Sequence, residues 1–159
     1  MSKSVKLKVK YFDESLPKLE NIEGAKSDWI DLYARQDVFL RQGDFKLVPL
    51  NVAMQLPKGY EAHVVPRSSL FKTTGCIQTN SVGIIDESYC GNEDEWRLPL
   101  FCVALRPTSV VRDGVPGMYI EKGQRLCQFR LFKHQPDIVF DEVSYLEGDN
   151  RGGFGTTGK

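Results

Sequence analysis

Along most of the chain, apolar and polar residues alternate one by one. Val5-Lys6-Leu7-Lys8-Val9-Lys10-Tyr11 sets apolar positions against basic ones, and that period of two predicts a strand with one solvated face. Phe45 to Leu56 reads as extended, with Pro49 suited to a strand end or a bulge. Pro57-Lys58-Gly59-Tyr60 is a turn, and Glu61-Ala62-His63-Val64-Val65-Pro66 returns from it. Leu98 to Leu105 is apolar enough to be a buried strand. From Gln124 to Phe132 the alternation puts Leu126, Gln128, Arg130 and Phe132 on one face and Cys127, Phe129 and Leu131 on the other. Between 110 and 118, Asp113-Gly114 and Pro116-Gly117 mark turns. Ile138-Val139-Phe140 and the apolar residues of 143–146 supply the last predicted strand. No long segment carries a helical period. Strands recurring between turn signals predict an all-β barrel or sandwich.

Composition narrows the class. A chain of 159 residues with 41% hydrophobic and 26% charged residues fits one domain with a real core. With 21 basic and 21 acidic residues the formal charge is zero, which argues against a nonspecific nucleic-acid binder but not against a small anion held by a few placed groups. No apolar run has the length of a membrane span, and the N-terminus lacks the apolar region of a secretory signal. Cys76, Cys90, Cys102 and Cys127 contain no C-x-x-C pair, and neither His63 nor His134 has a paired motif. Free thiols in a reducing cytoplasm follow, with no zinc site.

Five stretches carry candidate chemistry. Thr79 to Gly91 reads as a β-hairpin: Asn80-Ser81-Val82-Gly83 turns, Ile84-Ile85 returns, and Asp86, Tyr89 and Gly91 follow. The inner edge of a narrow hairpin can pair with a flat heterocycle, leaving Asp86 and Tyr89 to face what is attached to it. Equally, the stretch can be an ordinary hairpin with an exposed Asp. Arg67-Ser68-Ser69 at a strand end can bind phosphate, the guanidinium bridging two oxygens and the hydroxyls donating to others, or it can cap a short helical turn. Asp31, within the apolar run Trp29 to Ala34, needs a partner because burying a lone carboxylate is costly. Gln128 stands where an apolar residue could pack or belongs to an exposed polar face. The glycine-rich tail 147–159 is either a disordered terminus or a mobile lid, its backbone N–H groups forming a nest over phosphates. The letters from Gly153 to Lys159 satisfy G-x-x-x-x-G-K, but no Ser/Thr and no helix follow, so a Walker A loop is rejected.

Taken together, these stretches resemble the homotrimeric dUTPase family, whose five motifs occur here in order. They are Ser27 to Ala34, Pro66-Arg67-Ser68-Ser69-Leu70, the Asn80 to Gly91 stretch, Gly123-Gln124-Arg125-Leu126-Cys127-Gln128-Phe129, and the tail from Gly152 to Gly158. The resemblance implies a distorted jelly-roll β-barrel over 1–146 with a flexible glycine-rich lid over 147–159. It also implies a trimer with shared active sites and Mg²⁺-dependent hydrolysis of dUTP to dUMP and pyrophosphate in the cytoplasm of a bacterial or phage-infected cell. By the same resemblance Asp86 orients and deprotonates the water, and Tyr89 packs against deoxyribose. The backbone of Gly83, Ile84 and Ile85, with Asn80, reads uracil. Arg67, Ser68, Ser69 and Gln128 bind phosphates, and Asp31 sits near the metal through water or holds Gln128. Phe154 stacks on the base, while Arg151, Gly155, Thr156 and Thr157 close on the outer phosphates.

The chain also departs from the family pattern. Cys90 stands where many members have Arg, 92–96 reads as an acidic insertion with an exposed-looking Trp, and Arg151 sits two residues closer to the glycines than in many members. Two other readings share the scaffold. A dCTP deaminase needs a Glu placed for proton transfer that the stretch around Asp86 lacks. A regulatory protein would use the 92–96 insertion as a partner surface.

Overall fold

In the computed structural model of the chain, which describes residues 4–20 and 26–154, period-two segments become strands and only five residues form an α-helix. In chain order the elements are β1 (Lys8–Tyr11), β2 (Ile30–Tyr33), β3 (Val38–Leu40), β4 (Phe45–Pro49), β5 (Val52–Gln55), β6 (Tyr60–Pro66), α1 (Leu70–Thr74), β7 (Cys76–Gln78), β8 (Gly83–Ile85), β9 (Arg97–Cys102), β10 (Val110–Arg112), β11 (Val115–Ile120) and β12 (Arg125–Lys133). They pair as four small sheets, β1-β5, β10-β11-β3, β2-β12-β6-β8 and β4-β9-β7. The ladders do not close into one ring. The inner faces instead share a core in which Leu32, Leu40, Leu98, Leu100, Ile120 and Phe129 are fully buried.

Local chemistry explains the breaks. The stretch from Phe45 to Leu56 divides at Asn51, whose φ of +70° is a left-handed conformation that Asn tolerates. Its side chain closes a reciprocal pair with Asp13, accepting from the Asp13 N–H at 2.7 Å and donating to the Asp13 carbonyl at 3.1 Å. Asp113 and Gly114 both have positive φ, +49° and +76°, as a two-residue hairpin requires. Pro116-Gly117, expected as a turn, lies within β11. There a Cβ on Gly117 would stand 2.4 Å from the Phe39 ring, so close approach of the aromatic rather than a turn demands the glycine.

Three other expectations are overturned. The Thr79 to Gly91 stretch is not a hairpin: β7 pairs with β9 and β8 with β6, so the two strands leave the 79–82 turn into different sheets. The predicted strand over 138–146 is absent, because strand pairing ends at Lys133 and no ladder reaches this segment; Val139, Phe140 and Tyr145 are 90%, 87% and 79% exposed. Trp96 is not exposed. It is 1% accessible and packs edge-on against Phe129 at 5.3 Å, while Glu95 beside it is buried against Arg35, at 2.7 and 2.9 Å.

Candidate active site

The sheet β2-β12-β6-β8 carries most of the candidate residues. Asp31 in β2 lies directly opposite Gln128 in β12, and Gln128 lies opposite Val65 in β6. Residues directly opposite share a face, so Asp31, Gln128 and the end of β6 at Arg67 converge. Arg67 Nε stands 3.3 Å from one Asp31 carboxylate oxygen, and Arg125 Nη1 stands 3.3 Å from the other. The partner that Asp31 needs is thus a pair of guanidinium groups, and no hydrogen bond joins it to Gln128 among the described residues. Ser68 is exposed. Ser69 takes the N-cap position of α1, yet its side chain makes no capping bond. Both readings of the segment therefore meet: the backbone caps a turn, and the hydroxyl is left for another partner.

Arg125 was not among the residues singled out from sequence. A register shift between Arg125 and Cys127 marks a bulge in β12; it buries Leu126 and Cys127 in succession and brings Arg125 to Asp31. Leu126 is consequently not on the Gln128 face, contrary to the simple alternation. The adjacent apolar pair Leu126-Cys127 was the available signal, since two buried neighbours in a strand mean a bulge.

Asp86 lies immediately after β8. Its Oδ1 accepts from the Ser88 N–H at 2.8 Å and from the Ser88 hydroxyl at 2.5 Å. The Ser88 hydroxyl first, and its backbone N–H second, hold the Asp86 carboxyl below its ordinary range. An exposed carboxylate so fixed is ionised at neutral pH and points in one direction. Tyr89 is 39% exposed, and its hydroxyl donates to the Glu95 carbonyl at 3.2 Å. Glu95, buried and paired with the partly exposed Arg35, therefore anchors the phenol from behind, a role for the insertion that its exposed-looking Trp concealed. Asn80 is exposed, with its side-chain oxygen accepting from Gln78 Nε2 at 2.9 Å. Gly83, Ile84 and Ile85 form the edge strand of the sheet. The free backbone edge expected of a hairpin is supplied instead by the outer side of β8.

Asp86 and the Asp31–Arg67 pair do not meet within one chain, whereas Asn80 and Gly83 lie between them at the level of Val64. Among the described residues no hydrogen bond or ion pair joins Asp86, Tyr89 or Asn80 to Asp31, Arg67 or Gln128. Register gives the separation: Ile85 pairs with Ala62 and Gly83 with Val64, so Asp86 continues to the level of Glu61 while Arg67 follows the other end of β6. At a rise of ~3.3 Å per residue the two stand about 20 Å apart along the strand. In the tail, Arg151 is exposed, and Phe154 is 113% exposed with a φ of +51°. Gly155, Thr156 and Thr157 lie outside the described residues. Among the described residues no cluster of three or more acidic, His or Cys side chains could hold a metal, and no helix is long and apolar enough to cross a membrane.

A cationic pair beside two serine hydroxyls, a carboxylate held by Ser88 and an open strand edge are groups whose chemistry suits a phosphorylated nucleoside. The dUTPase family profile matches residues 21–94. The SPbeta prophage-derived deoxyuridine 5'-triphosphate nucleotidohydrolase YosS of Bacillus subtilis is 49% identical over 97% of this chain and 99% of its own. Among solved structures, a mutant dUTPase of Staphylococcus bacteriophage 80alpha with dUpNHpp matches with a TM-score of 0.74 at 18% identity, covering 98% of this chain and 99% of that one. A mutant dUTPase from phage phi11 of S. aureus, described with a structural Mg(II) ion, matches with a TM-score of 0.69 at 18% identity, over 91% of this chain and 100% of that one. The chain belongs to the dUTPase family, and its all-β architecture is that of the family's jelly-roll structures.

Proposed function

We propose that this protein hydrolyses dUTP to dUMP and pyrophosphate, keeping uracil out of DNA and supplying dUMP for thymidylate synthesis. The observation that carries the reading is Asp86: an exposed carboxylate held in one direction by two hydrogen bonds from Ser88, directly after an edge strand able to pair with a base. Asp86 orients a water and accepts its proton as the water attacks the α-phosphorus in line; positioning supplies most of the catalysis in such transfers. Asn80 and the backbone of Gly83, Ile84 and Ile85 read uracil, and the ring of Tyr89 lies against deoxyribose and excludes a 2′-OH. Arg67, Ser68, Ser69 and Gln128 take the phosphate oxygens, and Arg151, Phe154, Gly155 and Thr156 close over the nucleotide.

Mg²⁺ fits this donor set as an ion carried mainly by the triphosphate. Both oxygens of Asp31 are already engaged by arginines, so Asp31 reaches a metal only through water, as suits an ion that keeps much of its hydration. When bound, the ion neutralises charge on the phosphates.

Asp86 and Arg67, about 20 Å apart along β6, are brought to one site by other copies of the chain, in a homotrimer with shared sites. An apolar outer face supports self-association: Phe45 and Ile77 flank Phe101 in register, with Leu47 opposite Pro99, and Phe45 and Leu47 are more than half exposed. The body spans 1–146 and the lid 147–159. Four free cysteines suit the cytoplasm of a bacterial or phage-infected cell.

Pyrophosphate release with Mg²⁺ across dUTP, dTTP, dCTP and UTP tests the reading; release from dUTP alone is the expected result. Asp86→Asn should lower kcat by about 10²–10⁴-fold, the usual worth of a general base, while dUTP still binds. Wild-type turnover by that variant refutes the assignment. A regulatory surface at 92–96 loses its anchor, since Trp96 lies in the core.

A further inference from the structure

Gln78 is a polar residue in a poor place. It is 7% exposed, and its Oε1 is buried without a hydrogen-bond partner among the described residues. Such an orphan costs about as much as a single hydrogen bond is worth or more, so the residue needs an explanation. Its Nε2 supplies one. That nitrogen donates to the Val64 carbonyl and to Asn80 Oδ1, both at 2.9 Å. A backbone carbonyl can only accept, so the Gln78 atom facing Val64 is the nitrogen. It follows that the Asn80 atom facing Gln78 is the oxygen, and the orientation of both amides is settled. The Asn80 NH₂ is thereby turned away from Gln78. Its Nδ2 lies 3.5 Å from where a Cβ on Gly83 would stand, at the start of the open edge strand.

We propose that Gln78 is a specificity-positioning residue: it locks the Asn80 amide so that a donor, not an acceptor, faces the 4-position of the pyrimidine. Uracil carries a carbonyl there and accepts; cytosine carries an amino group and meets donor with donor. A free Asn80 amide would flip and present its oxygen to cytosine. The buried cost of Oε1 is then the consequence of committing both Nε2 hydrogens to acceptors. This deepens the proposed function and rests on its reading of Asn80 as a base contact. It also makes a selective claim, because thymine has the same 4-carbonyl as uracil. Rejection of thymine depends on space for its methyl group and is independent of Gln78.

The test is kcat/KM for dUTP, dCTP and dTTP in the wild type, Gln78→Met and Asn80→Ala, with melting temperature recorded. Gln78→Met should lower the dUTP-to-dCTP preference about tenfold, the scale of one mispaired buried polar contact, and leave the dUTP-to-dTTP preference as it was. An unchanged dCTP preference in Gln78→Met, with a reduced one in Asn80→Ala, overturns the role of Gln78 alone. An equal loss against dCTP and dTTP also overturns it, since that marks a loosened pocket rather than a turned amide. Unchanged preference in Asn80→Ala overturns the Asn80 reading and the proposal with it. Should Gln78→Met fail to fold, Gln78→Asn keeps an amide but withdraws it by one methylene beyond reach of Asn80, and the same ratios apply.

Discussion

Replacing Arg125 by Met tests how the phosphate side is built. Asp31 lies between two guanidinium groups, each 3.3 Å away, with side-chain exposures of 31% for Arg67, 53% for Arg125 and 26% for Asp31. At an effective dielectric near 20, one such contact has a gross Coulomb energy of about 5 kcal/mol. Solvent and side-chain entropy reduce pairs this exposed to about 0–1 kcal/mol net. In the wild type Arg125 satisfies one carboxylate oxygen, so Arg67 can turn toward a phosphate without leaving Asp31 unpaired. In Arg125→Met, Arg67 is the sole partner of Asp31, and the face loses one positive charge. Both changes weaken binding of the triphosphate, together by about 1 kcal/mol, so KM for dUTP should rise roughly fivefold at low salt. Because Asp86 is on the other group, kcat should hold within about twofold. The difference from wild type should shrink as NaCl is raised, because exposed charges are screened. Steady-state pyrophosphate release at several salt concentrations reads all three quantities. An unchanged KM at low salt, or a fall in kcat with KM constant, refutes the clamp.

Three further outcomes are expected. Ser88→Ala removes the hydroxyl that does most to hold Asp86 below its ordinary range, so the folded-state value rises toward that ordinary range. A depressed carboxylate is ionised above its folded value, so turnover is lost as pH falls through that value; the acid limb of the kcat/KM profile should therefore begin at a higher pH in the variant. Truncation after Asn150 should abolish most dUTP turnover while the melting temperature stays within about 2 °C, because none of residues 151–154 belongs to the core. Trp96→Ala empties the space behind Phe129 and should cost about 3–5 kcal/mol, seen as a fall in melting temperature of roughly 10 °C.

The elements that the sequence made legible are those where side-chain alternation and burial coincide. β6 follows the simple pattern, and so do the break after Pro49 and the Asp113-Gly114 turn; the apolar run 98–105 yields β9, which ends at Cys102 and leaves Phe101 exposed. What alternation cannot reveal is which strand a strand pairs with. The turn at 79–82 has hairpin chemistry, yet β9 captures β7 and β6 captures β8 through contacts far along the chain. The apolar residues of 138–146 have strand propensity but find no ladder partner, so propensity alone did not make a strand there. Among candidate site residues, Asp86, Tyr89 and Arg67 were conspicuous in the sequence because their motifs carry them, their roles being those of the proposed function. Arg125, Ser88 and Gln78 were not, since each acts through one other side chain and the sequence does not show who faces whom.

A chain of zero net charge can hold a strongly anionic nucleotide when its charges are placed locally. The two groups have opposite electrostatic character. Around Asp31 two guanidinium groups surround one carboxylate, leaving a local excess of positive charge, whereas the other group has Asp86 beside a neutral backbone edge. Placed together on one chain, Asp86 would compete with the phosphates for Arg67, and an Arg-paired carboxylate would be a weaker base. Keeping the groups about 20 Å apart along β6 prevents that pairing. Asp86 is instead held by Ser88, a neutral partner that fixes its direction without supplying a cation. On the proposed function, Asp86 meets Arg67 only across a subunit boundary, with nucleotide between them. Dilution to dissociate the assembly should therefore remove turnover while each chain retains its fold, and a dissociated chain that still hydrolyses dUTP would show that one chain's residues suffice.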